Sequence, residues 1–182
     1  MNTIREVFSA TRPIDRRIEK VIDYAATDEN HLDREISEYE VTPSVERGMS
    51  RFLEAFDEGA RTGDVTEIGV WVSGFYGSGK SSFTKYLGFA LDPKKTVKGV
   101  PFVDRLAERV GDPTLRALLK TVARKHRTAV FMLDLGTEAL AESAMTPVAN
   151  VLYAKVLRAL GFSQETKVAD LEVRLQREGR WE

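Results

Sequence analysis

Residues 68–82 read IGVWVSGFYGSGKSS, and the interpretation of the whole chain depends on this stretch. Its first part is an apolar run rich in β-branched residues, which is typical of a buried strand. A glycine-rich turn follows, and from Lys80 onward the pattern becomes helical. The turn from Gly74 to Ser81 has the spacing G-x-x-x-x-G-K-[ST]. This spacing, between a strand and a helix, predicts a phosphate-binding P-loop.

The residue types of this loop suit the chemistry of a nucleotide's phosphates. Its glycines permit backbone angles that are closed to other residues, so several N–H groups can converge on one anion at a helix N-terminus. We expect Lys80 to reach the β- and γ-phosphates, Ser81 to ligate Mg²⁺ and Ser82 to donate to the α-phosphate. The predicted site for ATP and Mg²⁺ comprises these three residues together with Gly74, Phe75, Tyr76, Gly77, Ser78 and Gly79.

Two other interpretations of the loop are weaker. A glycine-rich turn that binds nothing would leave the Lys80-Ser81 pair at this spacing without an explanation. A dinucleotide-binding fingerprint would need a third glycine, whereas Gly77-Ser78-Gly79 is followed by Lys-Ser-Ser.

Composition limits the binding partners, the cysteine-dependent sites and the cellular location that we expect for this chain. The chain has 182 residues, of which 42% are hydrophobic and 30% charged, and its formal net charge is −1. This balance gives no overall electrostatic case for binding nucleic acid or an anionic membrane. The absence of cysteine excludes disulfides and thiolate zinc sites. We find neither a membrane-spanning run nor a signal peptide, so we expect a cytoplasmic protein.

The predicted fold class is α/β, a P-loop NTPase with a parallel sheet and flanking helices. Such a domain has about five parallel strands, but convincing strand patterns occur here only at residues 68–73 and 128–134. We therefore expect an incomplete domain at residues 63–182, preceded by a mainly helical lead-in at residues 1–62. The chain would be the N-terminal part of a longer ATPase and inactive alone. The Walker B strand would lie beyond its C-terminus, and the catalytic residues stay unassigned.

Helical periodicity and capping residues are clear in several places. Thr42-Pro43 and Asp112-Pro113 are typical of helix N-termini, and Pro93 and Gly161 are typical of ends. Together with the apolar spacing, these signals predict helices at about residues 43–59, 80–91, 102–110, 113–125 and 139–160, and another from about residue 166.

Two local assignments stay open. Tyr39 to Thr42 form either a wall beside the nucleotide base or part of the core. Asp134 ends an apolar strand and is either a Walker B carboxylate or a polar residue that merely ends a second strand. Leu135-Gly136-Thr137 follow Asp134, where ATPases of this type have a glutamate that orients the attacking water.

Several segments together resemble a known family. They read IREVF from Ile4, RPIDR from Arg12, EYEVT from Glu38 and GVWVSGFYGSGKS from Gly69. Taken together, these segments resemble the opening of the BrxC/PglY ATPases of BREX bacteriophage-exclusion systems. The block that ends at Ser81 is the most specific part, and the likeness extends over nearly the whole chain.

The resemblance implies a large bacterial AAA-like ATPase that restricts phage replication. Its partners would be other BREX proteins, including a methyltransferase, a PglZ-type protein and a BrxB-type protein. DNA would be contacted indirectly or through regions outside this chain, and the full-length protein would be a homo-oligomer. By position, Gly74, Gly79, Lys80 and Ser81 would be nucleotide ligands. In the family, the strand that matches residues 131–134 precedes the Walker B strand.

Two other function classes stay open beside an ATP-driven motor or switch. A small P-loop kinase would suit the length, but 73 residues precede Gly74 and no lid-like stretch with paired arginines follows it. A docking fragment without turnover would bind other defence proteins through residues 1–60.

Overall fold

The computed structural model describes residues 28–63, 69–133, 147–163 and 165–180. Within these ranges the chain is mostly helical, with seven α-helices and two short strands. The helices are α1 (Glu29–Glu38), α2 (Pro43–Thr62), α3 (Lys80–Leu91), α4 (Phe102–Arg109), α5 (Pro113–Lys125), α6 (Val148–Ala159) and α7 (Thr166–Arg177). The strands are β1 (Thr96–Val97) and β2 (Val100–Pro101).

Three of these helices begin at a side chain that caps the first turn. Oxygen atoms of Asp28, Thr42 and Asp112 accept hydrogen bonds from backbone N–H groups at the starts of α1, α2 and α5. Pro43 and Pro113 follow two of these caps, where the missing N–H of proline costs the helix nothing. The helices that were predicted from residues 43, 113 and 166 are confirmed at those starts.

Helix α4 lies at the centre of the packing. It contacts α1, α3 and α5, and α5 in turn packs against α2. The second half of α3 is buried on most sides, which fixes the position of the whole helix and hence of its first turn. The buried residues of α3 are Lys85, Tyr86, Leu87, Phe89, Ala90 and Leu91.

A buried ion pair joins α1 to α3. The side chain of Lys85 is 0% exposed, and its Nζ lies 2.7 Å from Oε2 of Glu35. The same ammonium lies 5.8 Å from the centroid of the Phe89 ring. Removing Glu35 would leave the buried ammonium of Lys85 without its carboxylate, whereas Glu35 itself is 19% exposed.

Tyr39 belongs to an aromatic cluster in the core. Its ring meets that of Tyr86 edge-on, with centroids 4.6 Å apart, and Tyr86 and Phe89 both pack against Phe102. Burial raises the pKa of Tyr39 to about 12. The structure therefore places Tyr39 in the core, which was one of the two interpretations of this residue.

The lysine-rich connection after α3 contains a β-hairpin. Lys98 and Gly99 form its turn, both with positive φ (50° and 75°), as a type I′ turn requires. Nζ of Lys98 donates to Oδ2 of Asp33 at 2.6 Å, and Nζ of Lys95 lies 4.4 Å from the Phe89 ring centroid. These two lysines thus hold the hairpin against α1 and α3.

The predicted fold class, an α/β P-loop NTPase with a parallel sheet, is wrong for the described structure. The sheet found there is the antiparallel pair β1–β2. Residues 68–73 and 128–134 were expected to be parallel strands, but their described parts, residues 69–73 and 128–133, belong to no strand. Val70 and Trp71 are 59% and 91% exposed, so this segment is not a buried strand. β-Branched composition favours extended backbone, but a sheet also needs a neighbouring strand to pair the backbone groups.

The second of these segments, residues 128–133, packs directly on α3. Val130 and Met132 are half-buried against the core beside Gly88. A Cβ added at Gly88 would overlap the Met132 methyl group, so this flexible side chain would have to move.

Helices α6 and α7 form a hairpin near the C-terminus. The Tyr153 hydroxyl donates to Asp170 at 2.7 Å, and the Ser163 N–H donates to Glu172 at 2.7 Å. The buried residues of this hairpin, Val151, Leu157 and Ala169, are separate from the main core cluster. None of the helices within the described ranges is long and apolar enough to cross a membrane.

Some predictions lie outside the described residues. These are the N-terminal pieces of the family resemblance before residue 28, the Asp134 assignment, and the part of the predicted 139–160 helix before Pro147. Helix α1 was not separately predicted, although Asp28 followed by Leu32 and Ile36 is a capped, helix-spaced pattern.

Glu46 of α2 stabilises the start of α5 from a neighbouring helix. Its Oε1 accepts from the N–H groups of Gly111 (2.8 Å) and Asp112 (3.0 Å). We expect Glu46→Ala to lower the free energy of unfolding by about 1–2 kcal/mol, because both donors lose their partner. Urea unfolding followed by circular dichroism measures this, with Arg47→Ala, at an exposed position of the same helix, as control. Equal stabilities of the Glu46→Ala variant and the wild type would contradict the assigned role.

Asp104 of α4 links this helix to α5. The hydrogen bond from Lys120, at 2.9 Å, and the nearby Arg124 hold the pKa of Asp104 below its ordinary value of 3.8. The Asp104 carboxylate therefore stabilises the fold at pH values above its pKa in the unfolded chain. This contribution is lost as the pH falls through the lower pKa that Asp104 has in the folded chain. We expect Asp104→Asn to destabilise the chain at pH 7 but progressively less below pH 3.8. The measurement is the free energy of unfolding across this pH range, with Glu108→Gln as control. If the Asp104 carboxylate were unimportant, the difference between Asp104→Asn and the wild type would not change with pH.

Candidate phosphate-binding loop

The loop before α3 has the backbone shape that its glycines predict. Gly77 and Gly79 have φ values of 78° and 82°, in the left-handed region where other residues are strained. The N–H of Ser78 donates to the carbonyl of Phe75 at 3.2 Å and closes a tight turn. The loop is therefore curved, and its curvature depends on glycine at both positions.

A side chain at Gly74 would crowd the Ser78 hydroxyl. A Cβ at position 74 would lie 2.7 Å from Oγ of Ser78 and 3.8 Å from Cδ of Lys80. The two ends of the loop approach each other at this point. An alanine at position 74 would therefore require the Ser78 hydroxyl to move.

Lys80 closes the loop in the structure. Its Nζ donates to the carbonyls of Gly74 (2.9 Å) and Phe75 (2.7 Å). The ammonium consequently lies on the loop itself, next to the first turn of α3. The Lys80 ammonium would therefore lie next to an anion bound in the loop.

The first turn of α3 is open to an anion. Gly79 precedes the helix, no side chain caps it, and its first turn contains no acidic residue. The first N–H groups of a helix have no partner within the helix, and the macrodipole makes this end positive. Ser81 is exposed and Ser82 half-buried beside these donors. The loop and this turn therefore form an electropositive cradle.

Phe75 and Tyr76 lie at the outer edge of the loop. Their side chains are 91% and 99% exposed. Within the described structure, their side chains therefore contribute little to the cradle itself, although the Phe75 carbonyl bonds Lys80 and Ser78.

A groove of about 460 Å³ lies beside the cradle. It lies between α2 and residues 70–73, and its lining includes Ser78, Gly79 and Lys80 of the loop. Sequence reasoning missed the part of this site that lies on α2. From the sequence alone, no binding role was assigned to Phe52 or Arg51. The α2 residues that line the groove are Ser44, Val45, Gly48, Arg51, Phe52 and Ala55.

A Mg²⁺ ion at this loop would depend mainly on ligands from a bound nucleotide and from water. Among the described residues, no group of three or more His, Asp or Glu side chains is arranged to hold a metal. Mg²⁺ on a nucleotide needs few protein ligands, because phosphate oxygens and water complete its shell. The Ser81 hydroxyl, at the start of α3, is a suitable ligand of this kind.

Comparison with known proteins adds no assignment to this geometry. No protein-family model matches the chain, and no solved structure matches it significantly.

The short distance between a Cβ at position 74 and the Ser78 hydroxyl allows a test of the loop shape with a single and a double variant. We expect Gly74→Ala to shift the amide resonances of Gly79 and Lys80, because the added methyl group displaces the Ser78 hydroxyl. The double variant Gly74→Ala/Ser78→Ala removes that oxygen and should return these resonances toward their original positions. Gly69→Ala is the control, since a Cβ there meets no atom within 4 Å. Equal shifts in the single and double variants would contradict the proposed closure.

Proposed function

We propose that the loop from Gly74 to Ser82 binds the triphosphate of ATP together with Mg²⁺. The N–H groups of the loop and of the first α3 turn would surround the phosphates. Lys80 would exchange its two carbonyl partners for β- and γ-phosphate oxygens. Ser81 would ligate the Mg²⁺ ion, and Ser82 would donate to the α-phosphate.

One observation carries this proposal. The glycines with positive φ, the uncapped start of α3 and the Lys80 ammonium all lie within one short loop. A turn that served the fold alone would need neither a cation over its carbonyls nor a helix start free of carboxylates. The proposal depends on the loop and the helix and does not require a parallel sheet.

Bound Mg²⁺ would neutralise charge on the β- and γ-phosphates and orient them. The chain's own contribution would be to bind the nucleotide and to fix its phosphates against α3. We assign no residue to the activation of water.

At the level of the cell, we propose an ATPase of a BREX phage-defence system. The support is the resemblance of the block from Gly69 to Ser81, together with the shorter N-terminal segments, to the BrxC/PglY family. The role would be that of a cytoplasmic motor or switch that acts with the methyltransferase, the PglZ-type and the BrxB-type proteins.

The phosphate contacts of Lys80 can be tested directly. We expect Lys80→Ala to weaken the binding of Mg-ATP roughly 30-fold or more, because charge-assisted hydrogen bonds are worth about 1.5–3 kcal/mol each. Isothermal titration with the 182-residue chain measures this, and Lys94→Ala, an exposed lysine outside the loop, is the control. Circular dichroism should show the same helix content in the wild type, Lys80→Ala and Lys94→Ala.

Two results would contradict the proposal. The first is a wild-type chain that retains no Mg-ATP, and the second is a Lys80→Ala chain that binds it as tightly as the wild type. In a strain with a complete BREX system, the same substitution should abolish phage restriction. A fully protective variant would count against the proposed cellular role.

A further inference from the structure

The groove beside the cradle begins where the loop ends. Ser78, Gly79 and Lys80 line it, and the same three residues form the end of the loop and the start of α3. A ligand whose phosphates lie on the first turn of α3 would therefore have its remaining part at the entrance of this groove. The loop and the groove are two parts of one continuous surface.

The walls of the groove combine apolar rings with a cation. Phe52 of α2 and Phe83 of α3 are half-buried along it, and Trp71, which is 91% exposed, stands at its mouth. Arg51 and Ser44 add a guanidinium and a hydroxyl from α2. Aromatic faces stack with bases, and a guanidinium can donate to ribose hydroxyls or ring nitrogens.

A glycine of α2 leaves space in the groove opposite Phe83. Gly48 faces Phe83, and a Cβ at position 48 would lie 3.5 Å from that ring. With no side chain there, α2 leaves space above Phe83. The volume of about 460 Å³ lies within the range of about 300–1,000 Å³ that is usual for small-molecule sites.

We propose that this groove binds the base and ribose of the nucleotide whose phosphates the loop holds. The inference rests on the proposed function of the loop and adds a location for the nucleoside. The base stacks between Phe52 and Trp71 over Phe83, and Arg51 contacts the ribose side. The nucleoside site is therefore formed by α2 and residues 70–73, while Tyr39 stays in the core.

The test compares a ligand that has a base with one that lacks it. Mg-ATP and Mg-tripolyphosphate present similar phosphates, but tripolyphosphate has nothing to place in the groove. Ala55 lines the groove, and Ala55→Trp would fill it from α2 without removing a core side chain. Ala60→Trp is the matched control, because Ala60 is an exposed alanine of the same helix and is not part of the lining.

We expect Ala55→Trp to weaken Mg-ATP binding roughly tenfold or more, as the loss of one base-stacking site would. Its affinity for Mg-tripolyphosphate should stay within about twofold of the wild type, since the loop is unchanged. Ala60→Trp should alter neither affinity. Isothermal titration gives both affinities, and the thermal midpoints of the variants establish that each is folded.

The possible results distinguish failure of the proposed nucleoside site from failure of the proposed loop function. If Ala55→Trp leaves ATP binding unchanged while Lys80→Ala abolishes it, the nucleoside site is overturned and the loop assignment stands. Equal losses for ATP and tripolyphosphate would also overturn the nucleoside site. If the wild-type chain binds neither ligand, both proposals fail. Should Ala55→Trp not fold, Ser44→Trp blocks the opposite end of the same lining, with the same expected selectivity.

Discussion

The ammonium of Lys85 lies inside the core and must have a carboxylate beside it there. Glu35 provides that carboxylate, so the position of α1 relative to α3 is constrained by one pair of charges 2.7 Å apart. Both helices also pack on α4, and separating the pair would leave the buried ammonium without its carboxylate. The buried second half of α3 thereby holds the exposed first turn in a defined place.

The loop before α3 keeps its shape by local means. Glycines at positions 77 and 79 provide the curvature, Gly74 leaves space for the Ser78 hydroxyl, and Lys80 bonds two carbonyls across the loop. None of these contacts involves a sheet, so the loop keeps this shape without the expected strand pairing. The residues that we propose as phosphate ligands therefore lie close together in one short loop.

Local signals predicted local structure well. The caps at Thr42 and Asp112 placed two helix starts correctly, because a cap acts within three residues of itself. The strand predictions failed because pairing depends on a partner elsewhere in the chain, which the composition of residues 68–73 and 128–134 does not reveal. The groove was missed for the same reason, since α2 and residues 70–73 meet only through tertiary packing.

The C-terminal hairpin has a different basis of stability from the rest of the described structure. Its two helices share few buried apolar side chains, and the hydrogen bonds of Tyr153 and Ser163 cross between them. Elements with little buried surface open at lower free energy than the main core. Amide hydrogens of α6 and α7 should therefore exchange with solvent sooner than those of α3 and α4, and a protease should cleave the hairpin first.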